Sequence, residues 1–270
     1  MAWRLPFVKM HGAGNDFIMV AGCDLRSSGL SGPTIQKLCH RRVGIGADGL
    51  IIVREQSDVD FSMTYYNADG GEAEMCGNGA RCCVAFAHTR GLAADSCRFE
   101  TGAGRVAGVI DSSGITVSLP AWRELRLDVD FDGSPFPAHH TVNTGVPHIV
   151  VPLDEVESVD VAQWGAFLRF QDRLASSGAN VNFVAAAGDA GFRLRTYERG
   201  VEAETLACGT GAAATAVVLC ALNLATSPVT LKTRGGDTLT VSVGHEADPH
   251  ALRLHGPAVV AFTGEVEINE

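Results

Sequence analysis

The chain has 270 residues, with 21 Lys+Arg against 31 Asp+Glu and a net charge of -10. That balance disfavours a nucleic-acid backbone or an anionic membrane surface as a partner. With 46% apolar and 19% charged residues, there is material for a packed core rather than disorder.

The length points to one large domain or two small ones. No apolar run approaches the roughly 18–20 residues that span a bilayer; the longest, residues 211–222, contains Thr215. The opening residues lack an apolar stretch followed by a small-residue cleavage site, so no secretory leader is expected and the reading is cytoplasmic. Eight cysteines are present, but the inferred compartment argues against a disulfide framework. Their spacing contains no C-x2-C pair and matches no common zinc pattern, so no metal is expected.

In chain order, the pattern predicts a helix over 34–41, then a strand over 50–53 and another over Phe61–Asn67. A helix over 78–90 follows, rich in Ala and nearly apolar all round, as buried helices are. Strands are predicted over 105–110, 115–119, 149–151 and Phe192–Glu198. A second buried helix is predicted over 210–224, then strands over Val229–Lys232, 238–243 and Val259–Ile268. Glycine-rich turns such as Asp111-Ser112-Ser113-Gly114 separate many of these runs.

The two apolar helices begin alike. Cys76-Gly77-Asn78-Gly79-Ala80 is echoed by Cys208-Gly209-Thr210-Gly211-Ala212, an offset of 132 residues from Cys76 to Cys208. A self-similarity on that scale predicts two related α/β (α+β) domains. Each is expected to curl an antiparallel sheet around one central buried helix. The boundaries read as 1–121 plus about 259–270 for the first domain and 122–258 for the second, with an active site in the cleft between them.

The repeated motif carries chemistry. The first N–H groups of a helix lack internal partners and carry partial positive charge. Glycines let a carboxylate or phosphate approach that backbone, and a cysteine there tends toward thiolate. One copy reads as a buried structural cysteine; two copies, each opening a buried helix, point to a reactive pair. Gly44-Ile45-Gly46-Ala47-Asp48-Gly49 spells a dinucleotide fingerprint, but it precedes a strand where the fingerprint must follow one. His148, after Gly145-Val146-Pro147, is a rigidly held side chain at a strand start.

These motifs together resemble the diaminopimelate epimerase family. The resemblance also covers His11-Gly12-Ala13-Gly14-Asn15-Asp16-Phe17, Asn67-Ala68-Asp69-Gly70, Gly178-Ala179-Asn180-Val181-Asn182-Phe183 and Tyr197-Glu198-Arg199-Gly200. It implies a two-cysteine isomerase, independent of pyridoxal phosphate and of any other cofactor or metal, that converts LL-2,6-diaminopimelate to the meso form for lysine and peptidoglycan precursors. By the same resemblance Cys76 and Cys208 are the acid/base pair, and His148 and Glu198 tune them. Gly77, Asn78, Gly209 and Thr210 offer N–H groups to the reacting carboxylate. Asn15, Asn67, Asn180, Glu198 and Arg199 hold the amino groups and the distal end. A homodimer is implied.

Val146 stands where the family often has Asn, Gly49 where some members have Gln, and the turn from Glu198 to Cys208 is one residue longer than the commonest form. Two rival readings stay open at this point: a racemase of another amino acid on the same scaffold, and a non-catalytic carboxylate-binding or thiol redox protein.

Overall fold

The computed structural model describes residues 2–171 and 178–269. The chain divides into two units, Met1–Val117 with Pro257–Glu270, and Ser118–Gly256.

The first unit runs β1 (Trp3–Gly12), β2 (Asn15–Ala21), α1 (Gly32–Cys39), β3 (Gly49–Glu55), β4 (Phe61–Asn67), β5 (Glu72–Ala73), α2 (Gly77–Thr89), β6 (Ser96–Thr101) and β7 (Gly104–Asp111), and ends within β8 (Gly114–Leu119). The second runs β9 (Arg123–Arg126), β10 (His140–Asn143), β11 (Pro147–Leu153), α3 (Val161–Arg169), β12 (Asn180–Ala186), β13 (Phe192–Glu198), β14 (Ala203–Thr205), α4 (Gly209–Ala221), β15 (Val229–Lys232), β16 (Thr238–His245) and β17 (Asp248–Gly256). The last strand, β18 (Val259–Ile268), returns to the first unit and pairs antiparallel with β1.

The ladders of the two units repeat one another. In the first, β1 pairs antiparallel with β2, β2 parallel with β3, β3 antiparallel with β4, β4 parallel with β6, and β6 antiparallel with β7. In the second, β10 pairs antiparallel with β11, β11 parallel with β12, β12 antiparallel with β13, β13 parallel with β15, and β15 antiparallel with β16.

The expected antiparallel sheet is thus mixed, with two parallel pairings in each unit. The reason lies in the helices: parallel neighbours need a crossover connection, and α1, α2, α3 and α4 lie in those crossovers. Helix α3 was not foreseen from the pattern. It is one of the shorter helices, begun by Asp160, whose side chain accepts a hydrogen bond from Gln163 N.

Strands β2, β3, β11 and β12 are buried on both faces, and their alternation sends side chains two ways. Ile18, Val20, Leu50 and Ile52 join Ile35 and Leu38 of α1 in one core. Ile149, Val151, Val181 and Phe183 join Val161 and Leu168 of α3 in the other. The intervening residues of β3 and β12 face the buried helices. An added Cβ at Gly79 of α2 would lie 2.7 Å from Ile51 Cδ1, and one at Gly211 of α4 would lie 2.3 Å from Asn182 Oδ1.

Candidate active site

In the first unit Cys76 caps the N-terminus of α2 from an extended backbone (φ -137°, ψ 120°). Its Sγ lies 3.4 Å from Asn15 Oδ1, and Asn78 Nδ2 donates to the same oxygen at 3.3 Å. The β1–β2 hairpin places Asn15. Its two-residue loop, Ala13-Gly14, has positive φ at both positions (57° and 89°), as tight hairpin loops require. Asn15 Nδ2 donates to Asp48 Oδ2 at 2.7 Å.

Asp48 is held in turn by Arg41, which also forks onto Asp16. Lys9 completes the cluster 2.6 Å from Asp16. Burial alone would raise the Asp16 pKa, but hydrogen bonds from Arg41 and Lys9 lower it to about 2.

Beneath the helix start, the fully buried Arg81 donates to Asn78 Oδ1 at 2.9 Å, Gly77 O at 3.3 Å and Pro257 O at 3.2 Å. A charge taken out of water needs such partners. Asn67 stands exposed at the end of β4, where its carbonyl accepts from Gly70 N in a turn. Gly49 opens β3 in a crowded place: a Cβ there would lie 2.5 Å from both Tyr65 Cε2 and Tyr66 O. The glycines of the 44–49 segment serve a tight return from α1, since a Cβ at Gly44 would run into Lys37 and Leu38 carbonyls.

In the second unit Cys208 caps α4 in the same extended conformation (φ -124°, ψ 113°), and its Sγ accepts from Gly211 N at 3.4 Å. Thr210 Oγ1 lies 3.5 Å from that sulfur. The fully buried Thr144 ties the chain before β11 to the helix start, donating from Oγ1 to Thr210 O at 3.0 Å.

His148 follows on β11 and is 1% exposed; among the described residues its Nε2 is buried with no hydrogen-bond partner. Burial, and after it the positive Arg199, push its pKa down to about 3, so it is neutral. Asn180 opens β12 beside it, and its Oδ1 accepts from Arg199 N at 2.8 Å, anchoring the turn after Glu198.

Each unit therefore gathers its own expected residues. Asn15, Cys76, Gly77 and Asn78 meet around the start of α2. Thr210 and Cys208 meet at the start of α4, while His148 and Asn180 are neighbours on adjacent strands, with Asn180 holding Arg199. Asn67 stands exposed in its own turn at the end of β4. Arg41, Asp48, Arg81, Thr144 and Asn182 were missed as supporting residues. Two of them carried a signal: Arg81 interrupts an apolar helix, and Asn182 interrupts the apolar run Val181-Phe183-Val184. Buried polar residues at such positions need a reason.

Five of the other cysteines are chemically quiet. Burial raises Cys39 and Cys97 to about 11 and Cys82 to about 12, and lifts Cys83 and Cys220 as well. Among the described residues no group of three or more His, Cys, Asp or Glu could hold a metal ion, and no helix is long and apolar enough to cross a membrane.

The architecture is shared with solved structures. A Bacillus anthracis phenazine biosynthesis protein of the PhzF family superposes with a TM-score of 0.76 at 16% identity, covering 99% of this chain and 100% of its own. A hydroxyproline epimerase from Agrobacterium vitis gives 0.76 at 14% identity, with 100% and 95% covered. At such identities the likeness defines the class of fold: a two-unit α+β scaffold.

Sequence similarity narrows the class. The diaminopimelate epimerase family model matches residues 7–118 and 140–260. The diaminopimelate epimerase of Aquifex aeolicus (strain VF5) is 39% identical over 97% of this chain and 98% of its own length. That of Flavobacterium psychrophilum is 40% identical over 96% and 98%. The chain belongs to the diaminopimelate epimerase family and is an isomerase.

Proposed function

We propose that the protein epimerises LL-2,6-diaminopimelate to the meso form in the cytoplasm, using Cys76 and Cys208 at one α-carbon. The observation that carries this reading is the matched pair of cysteines, each capping a buried helix of the same conformation in a repeated unit. Inverting a carbon needs a base on one face and an acid on the other. In this reading one cysteine, as thiolate, takes the α-proton, while the other, as thiol, delivers its proton to the opposite face. The forward and reverse reactions exchange the two roles, and each turnover leaves the pair with one proton as before.

The α-proton of an amino acid is weakly acidic, so the negative charge that grows on the carboxylate must be stabilised. The N–H groups of Gly77, Asn78, Gly209 and Thr210 are fixed donors at helix starts. Each preorganised donor of this kind is worth about 3 kcal/mol. Arg199 matches a distal carboxylate with its planar fork, and Asn15, Asn67, Asn180 and Glu198 present acceptors and donors suited to the amino groups.

Val146 removes a side-chain amide, and Gly49 provides none, so substrate orientation rests more heavily on Asn180 and Arg199. The family resemblance implies a homodimer; Val260 and Phe262 of β18 are exposed apolar side chains.

The test is hydrogen exchange in heavy water with LL-diaminopimelate. Solvent deuterium should enter the inverted α-carbon, and Cys76→Ala and Cys208→Ala should each abolish epimerisation. Absence of exchange in the unaltered enzyme would overturn the assignment. Equal turnover of an amino acid lacking the distal carboxylate would favour a racemase of different specificity.

A further inference from the structure

The repeat makes an unusual substitution visible. In the first unit the face of the sheet toward α2 carries Phe17, Ile51 and Tyr65. Phe17 pairs with Gly49 at the head of the parallel ladder, Ile51 pairs with Tyr65, and Phe17 and Tyr65 meet edge to face at 5.9 Å. In the second unit the corresponding ladder positions hold His148, Asn182 and Thr196: His148 pairs with Asn180, and Asn182 pairs with Thr196. A trio that is apolar but for the Tyr65 hydroxyl in one copy is polar throughout in the other. All three members of the polar trio are almost fully buried, at 1%, 0% and 2% exposure. Burying three polar side chains where the other copy is mostly apolar carries a desolvation cost that their hydrogen bonds must offset, which points to a function for them.

The hydrogen bonds state what the trio does. Asn182 Nδ2 lies 3.0 Å from Ile149 O and 3.1 Å from His148 Nδ1, while Oδ1 accepts from Thr196 Oγ1 at 3.0 Å. A backbone carbonyl can only accept, so the end of the amide facing Ile149 is the NH2 group. That group has two hydrogens and no acceptor capacity. One serves Ile149 O and the other must go to His148 Nδ1, which is therefore the unprotonated ring nitrogen. The proton of the neutral imidazole then sits on Nε2, the buried nitrogen that has no partner among the described residues. The same Asn182 oxygen lies against Gly211, whose N–H donates to Cys208 Sγ.

We propose that Asn182, oriented by Thr196 and Ile149, is a positioning residue that locks His148 as the Nε2–H tautomer, so that His148 serves the reaction as a neutral hydrogen-bond donor and not as a base or a cation. Its acceptor would be negative charge brought to the start of α4: the substrate carboxylate or the thiolate. This rests on the epimerase reading for its use in catalysis, but the tautomer is a property of the protein alone.

The experiment is 15N nuclear magnetic resonance of histidine-labelled enzyme, with His148 assigned from the loss of its signals in His148→Gln. The unaltered protein at neutral pH should show a protonated Nε2 and an unprotonated Nδ1 for His148. Asn182→Asp keeps the shape but replaces the amide donor with an acceptor. It should move the proton to Nδ1 and lower kcat at least tenfold, with a smaller change in KM. A protonated Nδ1 in the unaltered protein overturns the proposal without any variant being needed. An Asn182→Asp enzyme with shifted protonation and unchanged kcat overturns the catalytic use. Failure of the unaltered enzyme to epimerise diaminopimelate would sink the functional reading and leave the tautomer result standing on its own.

Discussion

Cys76 Sγ faces the oxygen of the Asn15 amide, 3.4 Å away, and the direction of that contact is set from elsewhere. Asn15 turns its nitrogen to the Asp48 carboxylate at 2.7 Å, and a carboxylate only accepts. The oxygen is left for the sulfur, so Cys76 meets it as an S–H donor. Cys208, by contrast, accepts from Gly211 N. The two helix starts match in backbone but differ in what surrounds the sulfur.

Asp48→Asn removes the group that orients Asn15. The amide can then turn either end toward Cys76, and Arg41 loses the Asp48 ion pair while keeping the one to Asp16. The expected result is a loss of about 1.4 kcal/mol of transition-state stabilisation, a tenfold fall in kcat/KM, with a small change in melting temperature. Steady-state kinetics beside a thermal melt separate the two.

Arg81→Met should be a stability mutation. It leaves Asn78 Oδ1, Gly77 O and Pro257 O without the donor they share. Unsatisfied buried acceptors cost about 1–3 kcal/mol each in the worst case; we expect a total of about 3 kcal/mol. Urea unfolding measures it. An unchanged midpoint would show that water takes over all three contacts.

Gly211→Ala and Gly79→Ala should differ, although the motif is repeated. The new methyl group at 211 would meet Asn182 Oδ1 at 2.3 Å, in a network that cannot turn. At 79 it would meet Ile51 Cδ1 at 2.7 Å, the free end of a flexible side chain. Helix propensity favours Ala over Gly by about 1 kcal/mol, which offsets much of the cost at 79 only. Expression, melting temperature and activity of the two variants test the difference.

Stability should fall on mild acidification, and His148 should be a cause. Its pKa is about 3 in the folded protein against an ordinary 6.5, so between those values the unfolded chain binds the additional proton. Stability rises with pH wherever that holds. The contribution is whole above 6.5 and is lost as pH drops toward 3. Asp16, lowered from 3.8 to about 2, acts with the same sign further down. Urea midpoints at pH 7 and pH 5 should diverge in the unaltered protein and draw together in His148→Gln.

Thiol labelling should sort the cysteines by burial. At pH 8 an alkylating reagent should modify the exposed Cys23 and leave Cys39, Cys82, Cys83 and Cys97 untouched, because burial keeps those four protonated. Mass mapping of the folded and urea-unfolded protein gives the answer.

Much of this protein is local, and so was legible in the sequence. The two buried helices, foreseen over 78–90 and 210–224, lie at Gly77–Thr89 and Gly209–Ala221, because an Ala-rich apolar run after a Cys-Gly start has one stable outcome. Strands Phe61–Asn67, Phe192–Glu198 and Val259–Ile268 lie at the bounds the sequence predicts. The repeat named the two cysteines, since it compares the chain with itself and needs no third dimension.

Tertiary structure alone decided the rest. Parallel pairing of β2 with β3 and of β11 with β12 joins segments that no short-range pattern relates. It is this pairing that sets His148 beside Asn180, and the next antiparallel ladder that sets Asn182 beside Thr196. Asp48 reaches Asn15 across 33 residues of chain, and Arg81 reaches Pro257 across 176. Composition and periodicity say that such polar groups exist. Which partner satisfies each one is settled only when the sheet closes and water leaves, because a buried polar group must then bond to whatever the fold has brought next to it.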